Sequence, residues 1–108
     1  MSDEEWPPRE ARVRAALWGG ERRLFDREYV AAAAALADAL DADYADAREV
    51  ARGLHHLAAA GYRRQTGERP RALRQLAHAR RRLAPFLPVY EEVELGLLLD
   101  LVAAELES

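Results

Sequence analysis

The sequence predicts an all-α protein of about five helices in an up-down helical bundle. Apolar residues recur at spacings of three and four along most of the chain, and no stretch alternates apolar with polar residues for long, so strands are not expected. Prolines and glycines separate these periodic segments. With 108 residues, 50% of them hydrophobic and 32% charged, the chain is the size of one folded domain. We expect an acidic tail at residues 1–8 and a single helical domain at residues 9–108.

The first two helices are predicted on either side of a polar turn. Pro7 and Pro8 place a proline at the start of the first helix. Its apolar stripe consists of Val13, Ala16, Leu17, Gly20 and Leu24. Residues 26–28 are polar and predict a turn or a kink. The second helix follows and ends in the acidic segment 41–46, and its apolar face consists of Tyr29, Ala33, Leu36 and Leu40.

Three more helices are predicted in the rest of the chain. The third starts near Asp43 or Asp46, because Asp46 and Glu49 have capping-box spacing, and Gly67 ends it. Its predicted buried face is Val50, Leu54, Leu57, Ala58 and Gly61. Pro70 fits the first turn of the fourth helix, whose predicted stripe is Leu73, Leu76, Ala77, Leu83 and Ala84. Pro85 and Pro88 bracket the connection to a leucine-rich fifth helix.

Five consecutive alanines, residues 31–35, stand in the second helix. Together with Gly53 and Gly61 they lack bulk, so we expect the second and third helices to approach closely. A ligand cleft is the alternative interpretation. Residues without polar side chains shape such a pocket but do not orient a substrate.

Several short motifs follow a recognisable order along the chain. They are Leu-Phe-Asp-Arg-Glu-Tyr at residues 24–29, Gly53-Leu54 with Leu57-Ala58, and Gly67 with Ala72-Leu73. In this order the chain resembles the domain of unknown function 309 family over about residues 17–83, if one residue is deleted near the first turn. The resemblance implies an all-helical fold with helical hairpins similar to tetratricopeptide repeats.

The resemblance does not extend to the polar motif of that family. Its members typically follow a Phe-Asn-x-Gly-Glu-Tyr/Phe turn with Glu-Ala-His-Glu and a further glutamate three residues later. The aligned positions here are Ala31, Ala32, Ala33, Ala34 and Ala37. No site residue of the family therefore carries over to this chain.

The sequence offers few groups for catalysis or metal binding. Serine occurs only at Ser2 and Ser108, threonine only at Thr66, and cysteine and lysine are absent, so covalent catalysis has almost no nucleophile. His55 and His56 point about 100° apart on a helix, and His78 stands alone on the next one. The aspartates at positions 41, 43 and 46 lack the glycine and glutamate that complete a calcium loop. We therefore expect no enzyme activity, no metal and no cofactor.

Charge is strongly segregated along the chain. Residues 63–82 contain eight arginines and one acid, a formal net of +7, whereas residues 89–108 contain six acids and no base, a net of −6. On the fourth helix four side chains fall at steps of three and four and predict one exposed row, which we call the basic ridge: Arg71, Arg74, His78 and Arg81. Arg63 and Arg64 are expected to extend it.

Three interpretations of this basic segment are open. The acidic fifth helix lies against the fourth and neutralises part of it, the ridge binds an acidic protein surface, or it binds nucleic acid. Residues 63–82 contain no aromatic side chain, so the stacking platform typical of single-strand binding is missing. Nucleic acid is therefore the weaker alternative.

The fifth helix is apolar around much of its circumference, which indicates either burial in the monomer or self-association. The candidates for self-association are Leu97, Leu98 and Leu101. We expect a non-catalytic helical interaction or scaffold domain that binds a protein partner or a second copy of itself. The alternative is weak, sequence-nonspecific nucleic-acid binding through the arginine-rich hairpin of the third and fourth helices. The absence of cysteine, of a basic leader and of an apolar run of about 20 residues predicts a cytoplasmic protein without a membrane partner.

Overall fold

The computed structural model describes residues 8–107, which form five α-helices, two 3-10 turns and one short β-hairpin. The helices are α1 (Pro8–Phe25), α2 (Tyr29–Leu36), α3 (Ala45–Gln65), α4 (Arg69–Leu83) and α5 (Leu95–Glu107). The 3-10 turns are Ala37–Ala39 and Ala84–Phe86, and the strands are β1 (Val89–Tyr90) and β2 (Val93–Glu94). The predicted all-α helical bundle is confirmed. Of the acidic tail predicted at residues 1–8, all but Pro8 lies outside the described residues, and Pro8 begins α1.

The turn predicted between the first two helices is present. Arg27 has a φ of 60°, and the Glu28 amide donates to the Arg23 carbonyl at 2.9 Å, which closes the end of α1. The predicted α1 stripe is buried throughout. α2 is shorter than expected, because the chain tightens into a 3-10 turn after Leu36. The face of α2 that carries Tyr29, Ala32 and Leu36 is buried.

α3 has the predicted buried face but a different start. Tyr44, with a ψ of 111°, occupies the N-cap position, and no side chain caps the helix. Asp46 lies inside the first turn, so the predicted capping box of Asp46 and Glu49 is wrong. The helix ends at Gln65, and Gly67 adopts a φ of 80°, a left-handed conformation that favours glycine.

α4 begins as predicted, with Pro70 in its first turn, but it buries a different stripe. The buried residues are Ala72, Leu76, Ala79 and Leu83, whereas the predicted Leu73, Ala77 and Ala84 are exposed. Compared with the prediction, α4 is rotated about its own axis by less than the angle between adjacent residues. The rotation is toward α3, where Leu83 lies over Gly53.

A short antiparallel hairpin forms where no strands were expected. Val89 pairs with Glu94 and Tyr90 with Val93, and both turn residues, Glu91 and Glu92, have positive φ values. α1 holds the hairpin in place, because the Trp18 indole nitrogen donates to the Glu91 carbonyl at 3.0 Å. Such a contact across 73 residues leaves no periodic signal in the sequence.

The core lies between the five helices and includes leucines from each of them. The largest fully buried side chains are Leu17, Leu24, Leu36, Leu54, Leu57, Leu83, Leu95, Leu98, Leu106, Val50, Val93 and Val102. Close approach of α2 and α3 occurs at Gly61, as predicted, where a Cβ would lie 2.4 Å from the Tyr29 ring. Gly53 instead makes room for α4. No helix within residues 8–107 combines the length and the apolar character needed to cross a membrane.

α4 and α5 run side by side in opposite directions. Arg69 at the start of α4 donates to the Leu106 carbonyl near the end of α5. Gln75 on the other side of α4 lies against His56 of α3. α4 is thus packed between α3 and α5, and its remaining face is exposed.

Candidate functional site

The basic ridge is exposed along α4. Arg71, Arg74, His78 and Arg81 are all accessible, while the opposite face of the helix is buried against the core. This part of the sequence prediction is confirmed. The face exists because α4 alternates arginines with alanines and leucines at helical spacing, so the apolar positions turn inward and the charged ones outward.

Acidic residues neutralise only part of the basic segment. Glu68 contacts both Arg71 at 3.0 Å and Arg63 at 2.9 Å, and Glu49 accepts from Arg82 at 2.9 Å. Arg74, Arg80 and Arg81 form no ion pair with any group in residues 8–107. The uncompensated charge of α4 therefore lies toward its middle and C-terminal half.

The two arginines expected to extend the ridge have other contacts. Arg63 is half-buried and bound to Glu68. The Arg64 guanidinium donates to the Glu105 carbonyl at 3.0 Å, and so lies toward the end of α5. The expectation that Arg64 extends the ridge is wrong, because the terminal turn of α5 offers unpaired backbone carbonyls.

One interpretation of the sequence was that the acidic fifth helix lies against the fourth and neutralises part of its charge. α5 does lie against α4, but in the described residues the acids of α5 do not pair with the basic ridge. Among the described residues, Asp100 and Glu107 form no ion pair, and Glu105 pairs with Arg27 at 2.5 Å. Glu105 also accepts from the Tyr29 hydroxyl at 2.6 Å. Burial, and then the hydrogen bond to Glu105, raise the pKa of Tyr29. This junction attaches α5 to the turn between α1 and α2.

The histidines make helix-to-helix contacts. His56 Nδ1 lies 2.7 Å from the Gln75 side-chain oxygen, and the His56 and His78 rings are 5.1 Å apart. Arg81 donates to His78 Nδ1 at 2.6 Å, which requires that nitrogen to be unprotonated. Loss of hydration and the charge of Arg81 lower the pKa of His78, so the ridge carries a neutral imidazole at pH 7.

The leucines chosen for self-association occupy three different environments. Leu97 is 56% exposed, Leu101 is partly buried, and Leu98 is fully buried in the monomer core. Leu98 is therefore wrong as a surface contact. Adjacent helix positions point about 100° apart, and only the packed structure decides which of them faces inward.

An open groove of about 360 Å³ lies between α2 and α3, and Ala33 is the residue of the alanine run that lines it. Its walls are Tyr29, Val30, Ala33, His55, Ala58, Ala59 and Tyr62. Burial lowers the pKa of His55, which favours its neutral form, and no aspartate, glutamate or arginine of residues 8–107 lines the groove. It has the shape of a cleft, but the only polar side chains in it are His55 and two tyrosines.

A second depression of about 290 Å³ adjoins the groove at His55 and contains Arg52 and Arg82. Glu49 pairs with Arg82 and lies 3.9 Å from Arg52, which also lies 3.8 Å from Asp41. The positive charges of Arg52 and Arg82 are thus balanced by acids of the same chain. Within residues 8–107 no cluster of three or more histidine or carboxylate side chains is placed to hold a metal ion.

Comparisons with protein-family models, with curated proteins and with solved structures find no match to this chain.

Proposed function

We propose that this chain is a non-catalytic helical interaction domain that binds an acidic protein surface through the basic ridge. The observation that carries the proposal is the charge of Arg74 and Arg81, which are exposed and unmatched by any acid in the described residues. An exposed guanidinium gains most from a charge-assisted, bidentate contact with a carboxylate.

The dimensions of the ridge favour a helical partner. Residues 71–81 span about 15 Å of helix, two to three turns. Carboxylates at steps of three and four on a facing helix repeat with the same period and match Arg71, Arg74 and Arg81 in turn. The neutral His78 between them accepts from Arg81 and fixes the direction of that guanidinium.

Two features argue against nucleic acid as the partner. No aromatic side chain stands on α4 to stack with bases, and the chain carries a formal charge of −3, which repels a polyanion at long range. With only two or three phosphate contacts, non-specific binding would also be weak.

The resemblance to the domain of unknown function 309 family is part of the same proposal, as are its tetratricopeptide-like hairpins and a cytoplasmic location. Of the alanines that replace the family's polar motif, Ala33 lines the α2–α3 groove together with Ala58 and Ala59.

A peptide-binding experiment tests the proposal. Fluorescence anisotropy compares a labelled helical peptide with glutamates at steps of three and four against a peptide of the same composition with scrambled spacing, and against single-stranded RNA. We expect preference for the spaced peptide, and loss of that preference in the R74E/R81E variant. R12E is the matched control, because Arg12 is exposed on α1 and forms no ion pair in the described residues. Equal binding of both peptides would refute the proposal, and tighter, salt-sensitive binding of RNA would support the nucleic-acid alternative.

A further inference from the structure

A second exposed surface combines apolar side chains with unpaired charges of both signs. On α4, beside the basic ridge, Leu73, Ala77 and Arg80 follow steps of four and three; we call them the α4 stripe. On α5 the exposed residues follow steps of three, four and three; we call them the α5 stripe: Leu97, Asp100, Ala104 and Glu107. Neither stripe belongs to the ridge that the proposed function uses.

The two stripes lie next to each other. Arg69 is one helical step of four before Leu73 on the same side of α4, and it reaches the Leu106 carbonyl of α5. The other side of α4 faces α3 through Gln75 and Arg82. The α4 stripe is therefore on the side of its helix that borders α5, and the two helices present one continuous face.

This face resembles half of a helix–helix interface. Leu73 is 41% exposed and Leu97 56%, and the alanines at positions 77 and 104 add small contact surfaces. Arg80, Asp100 and Glu107 form no ion pair in the described part of the chain. The face thus combines four apolar side chains with one unpaired positive charge on α4 and two unpaired negative charges on α5.

We propose that a second copy of this chain covers this face and forms a two-fold symmetric dimer whose axis runs parallel to α4 and α5. Such an axis places α4 of each copy against α5 of the other, so opposite charges meet twice. A two-fold axis perpendicular to the helices would place α4 against α4 and arginine against arginine. Charge complementarity therefore selects both the occupant and the arrangement.

Arg69 lies at the level of Leu106, so a rise of about 1.5 Å per residue places Arg80 roughly 7 Å beyond Asp100 along the helices, a gap that the long arginine side chain can span. α4 and α5 are antiparallel, and the side chains of both lean toward the N-terminus of their own helix. Arg80 and Asp100 consequently lean toward one another, and rotation about an axis parallel to the helices keeps their heights unchanged. The dimer contains two such pairs, and Leu73 of each copy faces the neighbourhood of Ala104 in the other.

The contact is small, and so the dimer is weak. Helices of 15 and 13 residues are about 20 Å long, and two side by side bury an area near the lower end for specific interfaces. We expect association at micromolar concentrations or above, decreasing as salt screens the charge pairs.

Charge-swapped variants test the arrangement by analytical ultracentrifugation of the full chain at low salt over a range of concentrations. The wild type is expected to form dimers, and R80E and D100R each to weaken dimerisation about tenfold or more, because each places like charges together twice. An equimolar mixture of R80E and D100R is expected to recover dimers, since both charge pairs are then opposite again.

The control and the refuting results are equally specific. R81E changes the same charge on the same helix, about 100° away on the basic ridge, and is expected to leave dimerisation unchanged. A wild type that stays monomeric at all concentrations, a mixture that stays monomeric, or an R81E variant that dissociates like R80E would overturn the proposal. Circular dichroism of each variant separates lost association from lost folding.

Discussion

Replacing Gly61 by alanine is expected to destabilise the domain, although alanine is the better helix former. In an unobstructed helix interior the change stabilises by about 0.5–1 kcal/mol. At Gly61 the new Cβ would lie 2.4 Å from Cε1 and Cζ of Tyr29, well inside van der Waals contact. The ring cannot move aside freely, because it is 2% exposed and its hydroxyl is bound to Glu105.

The expected magnitude is the difference between these two effects. Inserting a methyl group into a packed core typically costs about 1–3 kcal/mol, so the net loss is about 1–2 kcal/mol. For a domain of this size that lowers the melting temperature by about 4–8 °C. Displacement of Tyr29 also loosens its bond to Glu105, and with it the attachment of α5.

Thermal and urea unfolding followed by circular dichroism measures the effect. Gly19→Ala is the matched control, since its Cβ would lie 3.6 Å from the Ala35 Cβ, an ordinary contact, and the variant should be slightly more stable than the wild type. Tyr29→Leu combined with Gly61→Ala should be less destabilised than the sum of the single variants, because the ring that clashes is gone. A Gly61→Ala protein as stable as Gly19→Ala, or strict additivity in the double variant, would refute the packing argument.

Three further predictions concern single positions. Gly67→Ala should cost about 1 kcal/mol in urea unfolding, and Gly67→Asn less, because the φ of 80° is costly for a residue with a Cβ and the surrounding space is open. Because the raised pKa of Tyr29 favours its neutral form in the folded state, its contribution to stability is present below its ordinary pKa of 10.0 and is lost as pH rises above it. The free energy of unfolding should therefore fall less in Tyr29→Phe than in the wild type between pH 9 and pH 11. Urea unfolding at each pH measures it, and parallel curves of this free energy against pH would contradict the prediction. Leu98→Ala should cost about 2–5 kcal/mol and Leu97→Ala less than about 0.5 kcal/mol, measured by thermal unfolding, because only Leu98 is in the core.

Local features of the sequence determined most of the fold. For α1 and α3, the apolar residues at helical spacing predicted the buried face correctly. The turn at residues 26–28 and the stop at Gly67 follow from polar and glycine residues with the required backbone freedom. The exposure of the basic ridge could be predicted for the same reason, since arginines at steps of three and four belong on one solvated side.

Contacts between distant residues decided the rest. The rotation of α4 depends on Leu83 meeting Gly53, and the hairpin depends on Trp18 and Glu21 of α1, 73 residues from their partners. The same holds for charge: Arg64 is drawn to the end of α5, while Arg74 is left without an acid. A sequence specifies which residues of a helix share a side, because that is local geometry. It does not specify which neighbour covers that side, and so only the tertiary structure separated the ridge from the stripe beside it and Leu97 from Leu98.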